Sequence, residues 1–129
     1  MVKSKKAEEF EYRLTLAPHV NERRLQPTTL LTIETTKAFA SFRYELSVRE
    51  QADKRTLHFR ILGLKAPQLS LPASGTAQFI REYDDLHGTY EITVERLDGK
   101  TNTFSVSITQ KNIKVLRSPK TPFIEVIVA

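Results

Sequence analysis

The chain has no cysteine, no tryptophan and only four glycines in 129 residues. Without cysteine there is no disulfide framework, no thiolate nucleophile and no Cys-ligated zinc or iron–sulfur centre. So few glycines leave little material for a phosphate cradle, and neither Gly-x-x-x-x-Gly-Lys-Ser/Thr nor Gly-x-Gly-x-x-Gly occurs. No Gly-x-Ser-x-Gly elbow is present either. No apolar run approaches the roughly 18 residues that a membrane-spanning helix needs. The amino-terminal stretch begins basic and then turns acidic at Glu8-Glu9, where a signal peptide would run apolar. These features predict a cytoplasmic protein without cofactors, with residues 1–8 a flexible basic tail on a single domain spanning 1–129.

What the chain does have is alternation. Tyr90, Ile92 and Val94 project to one face before Asp98-Gly99, and Phe104, Val106 and Ile108 to one face beyond it, as successive strand side chains must. A two-residue Asp98-Gly99 loop would split these sets between faces. A three-residue loop Leu97-Asp98-Gly99, with Gly99 at positive φ, sets Ile92 against Phe104 and Tyr90 against Val106, and that register is expected. A second hairpin is expected where Tyr44, Leu46 and Val48 precede Leu57, Phe59 and Ile61. A four-residue loop Gln51-Ala52-Asp53-Lys54 pairs Glu50 with Arg55, Val48 with Leu57, Leu46 with Phe59 and Tyr44 with Ile61.

Elsewhere the pattern predicts a strand from Phe10 to Leu16 ended by Pro18, and a loop between Pro18 and Pro27. Another strand is expected near Leu30–Thr36, followed after the second hairpin by an irregular crossover from Leu64 to Gly75. The strand around Thr76–Tyr83 alternates poorly, because Arg81 shares a face with Phe79 and Tyr83; an edge position or a bulge would account for it. Ile113–Arg117 is a second candidate edge, and the apolar run Phe123–Val128 reads as a strand covered on both sides. About nine short strands without helical periodicity predict an all-β fold. The architecture expected is an antiparallel β-sandwich, immunoglobulin- or fibronectin-like without the Cys and Trp hallmarks of antibody domains, with a β-barrel as the alternative.

The net charge of +5 is uneven, with residues 1–60 at +4, 61–110 at −2 and 111–129 at +3. Arg23, Arg24, Lys111, Lys114, Arg117 and Lys120 are the candidates for binding nucleic acid or another polyanion. The aromatics that base stacking would need fall instead on faces shared with aliphatic residues, where core packing accounts for them. The weak metal or catalytic candidates are Asp84, Asp85 and His87, which lack the spacing of a calcium loop and suit a plain turn. His19, His58 and His87 show no metal-ligand spacing among themselves. Ser118-Pro119 and Thr121-Pro122 resemble minimal proline-directed phosphorylation sites, but such dipeptides are common and the favoured reading is a bend that interrupts strand pairing. The expectation is a non-catalytic domain that meets a protein partner, or a second copy, through a sheet face, loops or an edge strand.

Overall fold

The alternating stretches become nine strands: β1 (Tyr12–Asn21), β2 (Gln26–Phe39), β3 (Glu45–Asp53), β4 (Thr56–Lys65), β5 (Gly75–Tyr83), β6 (Gly88–Glu95), β7 (Thr101–Ile108), β8 (Ile113–Arg117) and β9 (Ile124–Val128). The structure, a computed structural model, describes residues 10–39, 44–66, 75–109 and 112–128. The expected tail at 1–8, Lys111 and the middle of the Leu64–Gly75 crossover lie outside the described residues. No helix among the described residues is long and apolar enough to cross a membrane.

All nine strands belong to one hydrogen-bonded sheet, in the order β8-β7-β6-β4-β3-β5-β2-β1-β9, which curls into a nearly closed barrel. The barrel alternative therefore fits, where two separate sheets were expected. The sheet is also mixed: β1–β9, β3–β5 and β4–β6 are parallel neighbours. Alternation reports which face a side chain takes and is blind to the direction of the neighbouring strand, so an all-antiparallel reading had no means of detecting these junctions. Register shifts between β2 and β5, β3 and β4, and β7 and β8 add the local bends that help a sheet to curl. The inward face is filled by one cluster that includes Leu14, Leu31, Phe59, Ile92, Phe104 and Ile124.

The β6–β7 hairpin has the expected register, Ile92 opposite Phe104 and Tyr90 opposite Val106. The Arg96 N–H donates to the Lys100 carbonyl at 2.9 Å, which closes the three-residue loop, and Gly99 has φ 90°. The β3–β4 hairpin departs from expectation. Its loop is only Lys54-Arg55, and Val48 faces Ile61, Glu50 faces Phe59 and Ala52 faces Leu57. From Val48 to Asp53 this differs from the expected pairing by four residues, so side chains there keep their face and alternation cannot separate the two registers; beyond the shift at Ser47/Val48, Leu46 pairs with Leu64. What favours the observed one lies on other strands. Glu50 accepts hydrogen bonds from the Tyr83 hydroxyl and, at 2.8 Å, from Arg81, while Arg55 is freed to lie 5.3 Å over the Tyr90 ring.

Three further expectations need correction. Pro18 does not end β1, which continues to Asn21 with Pro18 opposite Thr29 and Val20 opposite Pro27. β9 accompanies β1 only over Tyr12–Leu16, and β5 meets β2 only from Thr29 onward. Each proline thus sits where one flank of its strand is open, and its missing N–H removes no ladder bond there. β5 is not an outermost strand, lying between β2 and β3 in the sheet order, although a single parallel pair, Glu45 with Gln78, joins it to β3 and Phe79–Tyr83 has no ladder partner on that flank. Arg81 shares the face of Phe79 because its guanidinium covers that ring at 5.4 Å and pairs with Glu50. β9, expected to be covered on both sides, is an outermost strand that leaves Ile127 and Val128 each 37% exposed. β8 is the other outermost strand, as expected of Ile113–Arg117.

Candidate functional site

Strand directions bring the β1–β2 turn, the β3–β4 turn, residues 84–87 and the β7–β8 turn to one end of the barrel. Asn21 organises the first of these. Its side-chain carbonyl accepts the N–H groups of Arg23 and Arg24, each at 3.0 Å, the Asx arrangement that a short polar side chain imposes on a turn. Leu25 completes the turn at φ 54°, a left-handed conformation uncommon for residues other than glycine. Leu25 and Val20 project 78% and 56% exposed from this hairpin.

From that turn Arg24 reaches Asp84 with both guanidinium nitrogens, at 2.6 and 2.9 Å. Beside this pair, Glu82 accepts a hydrogen bond from the Thr28 hydroxyl at 2.7 Å and from the Asn21 amide at 3.3 Å. Arg55 donates to the His87 carbonyl, and the His87 N–H donates to the Tyr90 oxygen at 3.1 Å. Gly88 follows with φ 109°, and a side chain there would meet the Arg55 guanidinium at 2.5 Å. Between Pro27, Thr28 and Thr29 on one side and Asp85, Leu86 and Thr109 on the other lies a cavity of about 110 Å³, with Asp84 and His87 also on its wall.

Asp84, Asp85 and His87 are therefore gathered at one mouth, but Asp84 is already committed to Arg24. Among the described residues no three His, Asp or Glu side chains are grouped as a metal ion would need. The other histidines are elsewhere: His19 is exposed on β1, and His58 on β4 lies 3.0 Å from Glu95. The basic candidates are also dispersed, with Arg23 and Arg24 on the β1–β2 turn, Lys114 and Arg117 on β8, and Lys120 beyond it. Many of the remaining guanidiniums face carboxylates, Arg13 with Glu125 at 3.2 Å, Arg81 with Glu50 at 2.8 Å and Arg96 with Glu11 at 2.7 Å. Thr28 and Thr29 entered no expectation, because what brings them to residues 84–87 is the β2–β5 pairing and no local pattern. Comparison of the chain with protein-family models, with curated proteins and with solved structures found no significant match.

The hydrogen bonds from Arg24 hold the Asp84 carboxyl below its ordinary range. A carboxylate whose folded value is depressed stabilises the fold above its unfolded value near pH 4, and that contribution disappears as the pH falls through the lower, folded value. In R24Q the carbon-detected NMR titration midpoint of Asp84 should rise toward the ordinary carboxylate range. The melting temperature should barely change, since both groups are solvent-exposed. A midpoint identical in wild type and R24Q would mean that the bidentate pair is not formed in solution.

Proposed function

We propose that the chain is a non-catalytic binding barrel that accepts an extended segment of a protein partner as an added strand, paired to the free edge of β9. The observation that carries this reading is the incomplete closure of the sheet. β8 and β9 come near each other, yet no ladder joins them among the described residues. A free strand edge presents unpaired N–H and C=O groups, and main-chain pairing there supplies affinity while side-chain pockets supply specificity. The two edges are guarded unequally. β8 carries Lys114 and Arg117, the kind of charge that discourages edge pairing, whereas Ile124–Val128 holds one charge, no proline and two partly exposed apolar residues.

Selection from a random-peptide display library tests it. Peptides with alternating apolar residues should be recovered, and in NMR spectra they should shift and protect the outward-facing amides of Ile124–Val128. I127K, a gatekeeping charge on that edge, should abolish binding and leave the melting temperature within a few degrees of wild type. Failure to recover any such peptide, or perturbations confined to Arg23, Lys114 and Lys120 by an oligonucleotide with steep salt dependence, would reject strand addition, the second result in favour of polyanion binding.

A further inference from the structure

The two strands that border the open seam present different surfaces. β8 runs away from the mouth and β9 runs back toward it, with residues 118–123 joining them at the far end. Along β8, Lys114 lies opposite Ser107 and Val115 opposite Val106, but the register then shifts, so that Arg117 and not Leu116 lies opposite Ser105. Ser105 and Ser107 take the outer face of β7, because Phe104, Val106 and Ile108 fill the inner one. The extra residue therefore turns Arg117 outward beside Lys114, where unbroken alternation from Ile113 and Val115 would turn it inward. Both cations are exposed, as is Lys120 just beyond them, and none of the three forms an ion pair with a described residue. In the row of Arg117 the first carboxylate is Glu91, two strand spacings away across Ser105, or about 10 Å. On the other side of the seam Glu125 is already neutralised by Arg13 at 3.2 Å, and Ile127 shares its outer face.

We propose that the segment received at β9 is acidic, an extended peptide with apolar residues at alternate positions and aspartates or glutamates between them. This rests on the strand-addition reading and names the chemistry of its partner. Pairing to β9 fixes the parity of the added strand. Its side chains alternate between the inner face, beside Val126 and Val128, and the outer face, beside Glu125 and Ile127. The inner positions call for apolar residues, and the outer ones lie on the face that Lys114 and Arg117 occupy across the seam. The charges need not touch, since screening at physiological salt extends over about 8 Å and lysine and arginine are long. A lysine-rich segment would instead add to three cations that have no carboxylate to answer them. A nucleic acid would meet the same charges, yet it would leave the β9 ladder unpaired and the apolar side chains of Val126, Ile127 and Val128 unused.

Three synthetic peptides test the charge preference, identical in their alternating valines and carrying glutamate, serine or lysine at every position between. The glutamate peptide should shift and protect amides of Ile124–Val128 and also shift Lys114 and Arg117. Exposed ion pairs contribute about 1.4- to 5-fold each, so it should bind about fivefold tighter than the serine peptide, with the lysine peptide weakest. The advantage of glutamate should shrink as salt is raised from about 50 to 500 mM, while binding of the serine peptide hardly changes. K114E/R117E alters two exposed side chains, should keep the wild-type melting temperature within a few degrees, and should reverse the order in favour of the lysine peptide. Equal affinity of the three peptides, or an order unchanged in K114E/R117E, would overturn the acidic preference and leave strand addition standing. Binding of none of the three would overturn both. So would a glutamate peptide that shifts Lys114, Arg117 and Lys120 without protecting β9, the outcome of plain polyanion binding.

Discussion

Phe59→Ala should destabilise the protein by about 3–5 kcal/mol, the range for deleting a buried phenylalanine and leaving a partly collapsed cavity. Phe59 is fully buried near the middle of the sheet order, opposite Glu50 on β3 and beside Val94 on β6. Its ring also meets Phe79 of β5 edge-on, with centroids 6.0 Å apart. It therefore joins four strands, and local relaxation of one cannot fill the space. For a chain of this length the melting temperature should fall by on the order of 10 °C or more. Leu64→Ala on the same strand removes a side chain that is 48% exposed, and should cost well under about 1 kcal/mol. Urea unfolding of both variants checks the contrast. Equal losses would mean that β4 is not seated with Phe59 inward.

The burial of Phe59 was legible in the sequence because it depends only on parity. Leu57, Phe59 and Ile61 alternate with His58 and Arg60, and they are buried as that pattern requires. The partner of Phe59 was not legible. Pairing it with Leu46 or with Glu50 leaves both strands with the same face inward, and the deciding groups, Tyr83 and Arg81, belong to a strand more than twenty residues further along. Burial raises the Tyr83 hydroxyl above its ordinary range, and the hydrogen bond to Glu50 adds to that rise. A half-buried carboxylate is thus tolerated opposite an aromatic ring because β5 supplies its donors. The same limit hid the mouth cavity. Asp84, Asp85 and His87 stand together in sequence and were visible, whereas Thr28 and Thr29 reach them only through sheet order.

The β6–β7 register shows the opposite case. There the competing loop differed by one residue, which moves an entire apolar set to the other face, so burial could choose between them. Parity thus resolves one-residue slips, and it is silent on even slips, strand direction and strand order. Those three determine whether nine strands make one curled sheet or two stacked ones.

Asn102→Leu should cost about 1–3 kcal/mol, out of proportion to the removal of a single amide, because it strands a buried donor. Asn102 shares the inward face of Phe104, Val106 and Ile108 and is 5% exposed, a polar residue on an apolar stripe. Its side-chain carbonyl accepts the Phe123 N–H at 2.8 Å. The Phe123 carbonyl in turn accepts the Glu11 N–H at 2.9 Å, and Arg96 lies 4.7 Å over the Phe123 ring while bonding Glu11 at 2.7 Å. Phe123 is thereby tied to β7 on one side and to the start of β1 on the other. Strands near opposite ends of the sheet order are held together where no ladder joins β8 to β9. Leucine keeps the branched four-atom outline of asparagine, though bulkier, and provides no acceptor, so the Phe123 N–H loses its partner and the clasp loosens. Hydrogen exchange should therefore accelerate at Phe123 and along β9 far more than at Ile92 or Phe104 in the β6–β7 hairpin. Uniform acceleration across all nine strands would instead mean that Asn102 contributes only to global stability, and that the barrel is closed by its core and not by this contact.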